Sequence, residues 1–481
     1  VPDSLPVKNE TAIVGGGITG LYSALRALDS GQTDIHVYES SPARLGGKIK
    51  STTLHNITFN MGAEFVDSDD DLMHQLCHRL GLKLIACADQ YKNGFQAPNG
   101  QLYPNFYQEY AQVAEKIIHD RRTILAHPKG HLARSMDTLS LVDYIDSLRR
   151  DPQFEHVPSI VFDIAMNSFA AEVGQPAENI TADQFIGETM RKAKKVGPNG
   201  SKLHFLVSDC GWRVEGGVER VITALHGYLA ERGVHFHLSQ TLESVTKQAD
   251  GTTDLAFASP DGNHHVHSKK TFLALPAYSL AKVRGLETFG LAPDASGLIE
   301  KIQYANLVKF TLPIKPGNEL PNVNLFSPGV QSYQPAPGYI TFLCYNDGKS
   351  IPALIKHHLD QYALSMGKPA EDIFDASAGN IAFENPAELP CFSTPSPHHK
   401  VEIQALMQKM TDLSKQGLGV VGTYFPLKEA VGFMENGLNS VEQARARLYT
   451  VSGGQNLDWA DAATLSKSKP SDNTGQATGP G

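Results

Sequence analysis

The chain has 481 residues, 41% hydrophobic and 19% charged, which is enough apolar material for two or more packed lobes rather than one core. Its formal net charge of −9 repels nucleic acid and anionic lipid, and it favours a cationic ligand only weakly. No apolar run approaches the roughly 18 residues that a membrane-spanning helix needs, so no transmembrane segment is expected.

Residues 11–14 (Thr-Ala-Ile-Val) read as a short buried strand. Gly15-Gly16-Gly17-Ile18-Thr19-Gly20 follows, then a helical stretch over 21–28 and a second strand over 35–38 that ends at Glu39. Strand, glycine turn, helix and strand in this order begin a doubly wound parallel sheet. Apolar residues recur at three- and four-residue spacing over 109–119 and 139–149, which predicts a mainly helical region from 105 to about 195. Strand patterns return at 234–238, 271–275, 306–314 and 338–345, and helical ones at 354–364 and 401–413. The Ser-, Lys-, Pro-, Thr- and Gly-rich segment 465–481 cannot bury enough apolar surface to fold.

The glycine turn carries specific chemistry. Gly15 permits a tight turn, Gly17 lets the backbone approach a pyrophosphate, and Gly20 lets helix and strand pack closely. The helix N-terminus then offers unpaired N–H groups and partial positive charge to phosphates. Glu39, at the end of the second strand, is placed to accept hydrogen bonds from ribose hydroxyls and repels a 2′-phosphate. These features predict a bound dinucleotide without separating FAD from NAD.

The segment Glu39-Ser40-Ser41-Pro42-Ala43-Arg44-Leu45-Gly46-Gly47-Lys48 makes that separation. It resembles the E-x4-R-x-G-G-R/K motif of the flavin amine oxidase superfamily, and Met61-Gly62-Ala63-Glu64-Phe65 resembles the segment that lies against the flavin ring. Later patches follow in order. Val214-Glu215-Gly216-Gly217 resembles the element that opens a helix. The strand bearing Leu242 resembles the one whose backbone holds adenine. Leu273-Ala274-Leu275-Pro276 resembles the turn back to the substrate domain. Tyr304-Ala305-Asn306-Leu307-Val308-Lys309 resembles the segment with the active-site lysine, and Gly432-Phe433-Met434-Glu435 the one that meets the flavin pyrimidine carbonyl.

The resemblance implies an α/β fold, a Rossmann-type FAD-binding domain interrupted by a substrate domain of mixed sheet plus helices. FAD binding falls to segments 1–95, 205–285 and 396–464, the helical insertion to 96–204, and substrate binding to 286–395. It implies FAD contacts at Gly15, Gly17, Gly20, Glu39, Arg44, Gly46, Gly47, Lys48, Gly62, Ala63, Leu242, Gly422 and Met434. Lys309 would hold a water near the flavin and assist reoxidation, though a strand-end lysine is ordinarily solvated. Phe433 and Phe392 would form an aromatic cage or ordinary core. Leu389-Pro390-Cys391-Phe392 resembles a region in which the cysteine bonds to flavin, so Cys391 is either a covalent link or a buried thiol. One departure stands out. The family's A-G-E/T-E signature appears only as Val421-Gly422-Thr423-Tyr424, without its glutamate.

The activity implied is oxidation of a small-molecule amine, a primary amine or polyamine, with oxygen as acceptor and hydrogen peroxide as product. Glu64 would attract a substrate's distal ammonium, while Asp67, Asp69, Asp70 and Asp71 either help or cap the following helix. The alternatives are an L-amino-acid oxidase gripping the carboxylate with Arg213 or Arg191, a protoporphyrinogen-oxidase-like or desaturase-like enzyme, and a flavin-binding protein without catalysis. The five cysteines are scattered without a CxxC pair and the 19 histidines repeat no ligand spacing, so no metal site and a cytoplasmic, reducing location are expected.

Overall fold

The computed structural model describes residues 7–87, 92–194, 211–321, 323–377, 379–384, 393–395, 399–425 and 433–449. The chain opens with β1 (Val7–Val14), α1 (Ile18–Asp29), β2 (Ile35–Tyr38) and α2 (Asp71–Arg79). A helical run follows: α3 (Phe106–Ala126), α4 (Leu141–Arg149), α5 (Ser159–Val173) and α6 (Ala182–Lys194). Next come α7 (Glu219–Ala230), β3 (His235–His237), β4 (Thr241–Lys247), β5 (Thr253–Ala258) and β6 (His264–Leu273). The strands β7 (Leu307–Pro313), β8 (Val323–Ser327), β9 (Val330–Tyr333) and β10 (Tyr339–Tyr345) precede α8 (Ile351–Met366). The described chain closes with α9 (Lys400–Asp412), β11 (Leu418–Val420) and α10 (Phe433–Leu448).

Ala12, Ile13 and Val14 are 2% exposed or less because β1 is central and covered on both faces. It pairs in parallel with β6 on one side and β2 on the other; β3 lies beyond β2, and β11 lies parallel to β6. The strand order therefore reverses between β1 and β6, which opens a crevice at the carboxyl ends of these strands. One face packs α1, α2, α7 and α10 through residues such as Ile13, Leu25, Met73, Leu225 and Leu438. The other packs the antiparallel strands β4 and β5 and helix α9 through Val14, Phe257, Leu273 and Met407.

A second sheet runs 382–384, β7, β10, β9, β8 and 92–95, so residues 92–95 pair with β8. Its core faces α8 through Phe310, Phe342 and Leu359. The helices α3 to α6 bury their own core of Tyr110, Tyr144, Phe162 and Phe185, and Phe326 of β8 joins it. Three short strands tie the lobes together where Phe65–Val66 and Leu84–Ala86 flank Trp212–Val214. Among the described residues no helix is long and apolar enough to cross a membrane.

Candidate active site

The glycine turn lies at the mouth of the crevice. Gly15 has φ +107°, and a Cβ there would stand 2.5 Å from the Ala274 carbonyl oxygen. A Cβ on Gly20 would stand 1.8 Å from the Gly15 carbonyl oxygen, so helix and turn touch as the motif requires. Gly17 differs. A Cβ there would meet nothing closer than the Gly46 carbonyl oxygen at 4.0 Å. The protein itself does not demand a glycine at this point, which leaves room for a ligand's phosphates. Gly17 also N-caps α1 without a side-chain cap, and the first turn holds no acidic residue. Its N–H groups and dipole fit an anion there.

Glu39 faces this turn. One carboxylate oxygen accepts from the Gly16 N–H at 2.7 Å and the other from the Ser41 N–H at 2.8 Å. The Gln240 N–H donates to the Glu39 carbonyl oxygen at 2.8 Å, which sets Leu242 of β4, half-buried at a bulge, two residues beyond. The Gly46 N–H donates to Gly16 O at 2.8 Å, so the second glycine loop leans on the first. Arg44 braces that loop through the carbonyl oxygens of Leu45, Gly47 and Ile49 at 3.2, 2.7 and 2.9 Å. Lys48 lies 4.6 Å above the Tyr304 ring. The donor set fits FAD: a glycine cradle, an unopposed helix N-terminus and an acid beside them.

Next to the cradle the chain crosses itself, and a Cβ on Gly62 would stand 1.8 Å from the Lys48 carbonyl oxygen. Half-buried Ala63 follows, then Glu64, which is 7% exposed. Lys309 projects from β7 and is equally buried; its Nζ lies 2.6 Å from Glu64 Oε2 and 3.4 Å from Gly62 O. The pairing of Phe65 with Arg213 brings the guanidinium to 2.8 Å from Glu64 Oε1. Tyr333, the last residue of β9, donates to Glu64 at 2.5 Å. Arg213 also packs over the rings of Phe65 and Tyr333 at 4.9 and 5.6 Å and donates to the Pro335 carbonyl oxygen at 3.0 Å. Burial alone would raise the Glu64 pKa, but the Arg213 and Lys309 charges and the bonds from Lys309 and Tyr333 outweigh it and hold the carboxyl below its ordinary value.

Arg191 is bound by carboxylates, at 2.6 Å to Asp67, 2.8 Å to Asp69 and 2.9 Å to Glu188. Asp70 stands at the N-cap of α2, yet its carboxylate turns back to the Asp67 N–H at 2.9 Å. The cap on α2 comes from Glu435 of α10, which accepts from Leu72 and Met73 N–H at 3.0 Å each. Burial pushes Glu435 up to about 7 against those two bonds, and burial with the Asp67 charge pushes Asp70 up to about 8.

Met434 is buried against the α1 face of the core, and the Gly422 N–H donates to Ser440 Oγ at 3.0 Å. Phe433 opens α10 by its backbone. Cys391 and Phe392 lie outside the described residues. The sequence reading missed the roles of Tyr333 and Glu435. Glu435 was visible only as part of a motif, with no local sign that it caps a helix 362 residues away. The approach of Arg213 to Glu64 follows from strand register and has no local signal.

The sequence pattern of the family described as flavin containing amine oxidoreductase matches residues 18–341, more than half of the chain. Wild-type putrescine oxidase bound to putrescine is similar in structure, with 15% identity, coverage of 93% of this chain and 99% of that one, and a TM-score of 0.69. Cyclohexylamine oxidase from Brevibacterium oxydans IH-35A is 13% identical over 92% and 99%, with a TM-score of 0.71. A CLA-producing fatty acid isomerase from P. acnes is 16% identical over 91% and 98%, with a TM-score of 0.62. At these identities the likeness is one of fold, an α/β architecture in which the nucleotide domain is interrupted by a substrate lobe. With the cradle, the crevice and the matching pattern together, the chain belongs to the flavin containing amine oxidoreductase family, and its cofactor is FAD.

Proposed function

We propose that this protein is an FAD-dependent oxidase that converts an amine to an imine and then an aldehyde, releasing hydrogen peroxide. Bound FAD supplies the two-electron acceptor, so a primary amine, oxygen and water yield an aldehyde, ammonia and hydrogen peroxide. The observation that carries the reading is the meeting of Lys309, from the second sheet, with Gly62 and Glu64 beside the cradle. That contact sets a buried cation where substrate and cofactor would come together. The solved structures of putrescine oxidase and cyclohexylamine oxidase, which share the fold, support an amine as substrate class.

The residues at the site do definite work in this reading. Lys309 and Arg213 disfavour a second positive charge nearby and so lower the pKa of a bound ammonium. The neutral amine, the form that can be oxidised, is thereby favoured. Glu64 is compensated by two cations and holds Lys309 in place. It offers a distal ammonium less attraction than a lone carboxylate would, which weights the reading toward a primary amine over a polyamine. A second reading, oxidation of an L-amino acid, is favoured by one observation: Lys309 and Arg213 converge on the Glu64 carboxylate, a pair of cations suited to a substrate carboxylate.

A peroxide assay over a simple monoamine, putrescine, spermidine and L-lysine tests both. Peroxide from an amine lacking a carboxylate supports the first reading. Peroxide from the amino acid alone, abolished by Arg213→Met, supports the second. None from any, in protein that holds FAD, would remove both. Lys309→Met is expected to slow turnover by about 100-fold, the scale of a lost proton-handling group, with flavin content unchanged; wild-type kinetics would take Lys309 out of the site.

A further inference from the structure

Tyr424 follows β11 on the carboxyl edge of the parallel strands, the same edge that carries the glycine turn. The Val421 N–H donates to the Leu273 carbonyl oxygen at 3.0 Å, which sets the exit of β11 level with the end of β6. Ala274 comes directly after β6, and it abuts Gly15. Tyr424 is 7% exposed, and its hydroxyl is buried without a hydrogen-bond partner among the described residues. Buried tyrosine hydroxyls normally find a partner, so an orphan on this edge calls for one from outside the chain.

The phenol is held rather than free to turn to water. Its ring lies so close to Gly422 that a Cβ there would stand 2.5 Å from the ring Cε1, and the Phe425 ring centroid is 5.1 Å away. Asn436 Nδ2 donates to the carbonyl oxygens on both sides, Thr423 at 2.8 Å and Phe425 at 3.0 Å. The neighbouring phenol, Tyr304, accepts from the Ala277 N–H at 2.6 Å and lies beneath Lys48. Burial keeps the Tyr424 hydroxyl protonated, hence a donor.

We infer that Tyr424 is a cofactor-binding residue whose hydroxyl donates to an oxygen of the ribityl–pyrophosphate portion of FAD. It stands where the family signature has a glutamate. A neutral hydroxyl there donates to an anionic cofactor without the repulsion a carboxylate brings. The inference rests on FAD as the cofactor, and its test separates the two claims.

Flavin-free full-length protein is titrated with FAD, following flavin fluorescence, for wild type and Tyr424→Phe. The variant removes one oxygen atom and keeps the ring against Gly422. Its dissociation constant is expected to rise about 10-fold or more, the scale of a lost hydrogen bond to a charged group. Its flavin-free melting temperature should be unchanged or higher, because an unsatisfied buried hydroxyl has been removed. The upward shift of melting temperature on adding FAD should shrink, a readout that holds even where flavin attaches covalently. ADP serves as a second probe: a parallel loss of ADP affinity assigns the bond to the pyrophosphate, and a loss for FAD alone assigns it to the ribityl chain. Equal FAD affinity and an equal thermal shift in both proteins would overturn the inference. Wild-type protein that takes up no FAD would instead sink the cofactor reading beneath it.

Discussion

Glu64 has three partners at 2.5 to 2.8 Å, two of them cations, and this decides how the site responds to substitution and to acid. Glu64→Gln would remove the negative charge that both Lys309 and Arg213 meet here. Breaking a buried pair from one side commonly costs 3–5 kcal/mol, so a loss of about 3 kcal/mol is expected in urea denaturation at neutral pH. Lys309→Met leaves Glu64 its bond to Arg213 and should cost less. The acid response follows from the lowered Glu64 pKa. The unfolded carboxyl titrates near 4.5 and the folded one below that. Its contribution is therefore complete above about 4.5 and drains away as pH falls through the folded value. The gap in stability between wild type and Glu64→Gln at pH 7 should narrow progressively as pH is lowered below about 4.5; a gap unchanged down to the onset of acid unfolding would refute this pairing.

Two elements make opposed demands on their glycines and acids. Gly20→Ala forces a Cβ to within 1.8 Å of Gly15 O and should destabilise the protein by about 3 kcal/mol. Gly17→Ala meets no protein atom closer than 4.0 Å and should change flavin-free stability by about 1 kcal/mol or less. Both variants should lose FAD, so flavin content and melting temperature measured together separate a packing glycine from a ligand glycine. Equal destabilisation by the two would contradict the open space at Gly17. The head of α2 depends on Glu435, whose pKa is raised to about 7. The folded protein keeps a proton that the unfolded chain releases above about 4.5, so stability falls as pH rises from there toward 7 and then levels off. Glu435→Gln should flatten that fall, which a pH series of melting temperatures will show.

For the molecule as a whole, the elements built from local signals were the legible ones. The strand before Gly15 and the strand ending at Glu39 combine short apolar runs with glycine punctuation, and β1, α1 and β2 stand where that pattern set them. The helix pattern at 354–364 falls within α8, and the one at 401–413 matches α9 except for its last residue. Strand β4 was reached only through the resemblance at Leu242, and β5 escaped notice. Only alternate residues of β5 are buried (Thr253, Leu255 and Phe257), and β6 begins with a polar run that hides its pairing with β5. At the site, the glycines, Glu39, Glu64 and Lys309 could be named from motifs. The partnership of Glu64 with Arg213 and Tyr333 depends on how separate strands meet, which no local pattern records. The central claim, a flavoprotein that oxidises amines, is tested most directly by the visible spectrum of the purified protein before and after anaerobic addition of amines. An oxidised flavin band that a primary amine bleaches, and that air restores with release of peroxide, is the result expected. A flavin band that no amine or amino acid bleaches would contradict the proposed activity, and a protein that shows no flavin even after FAD is supplied would contradict the account at its root.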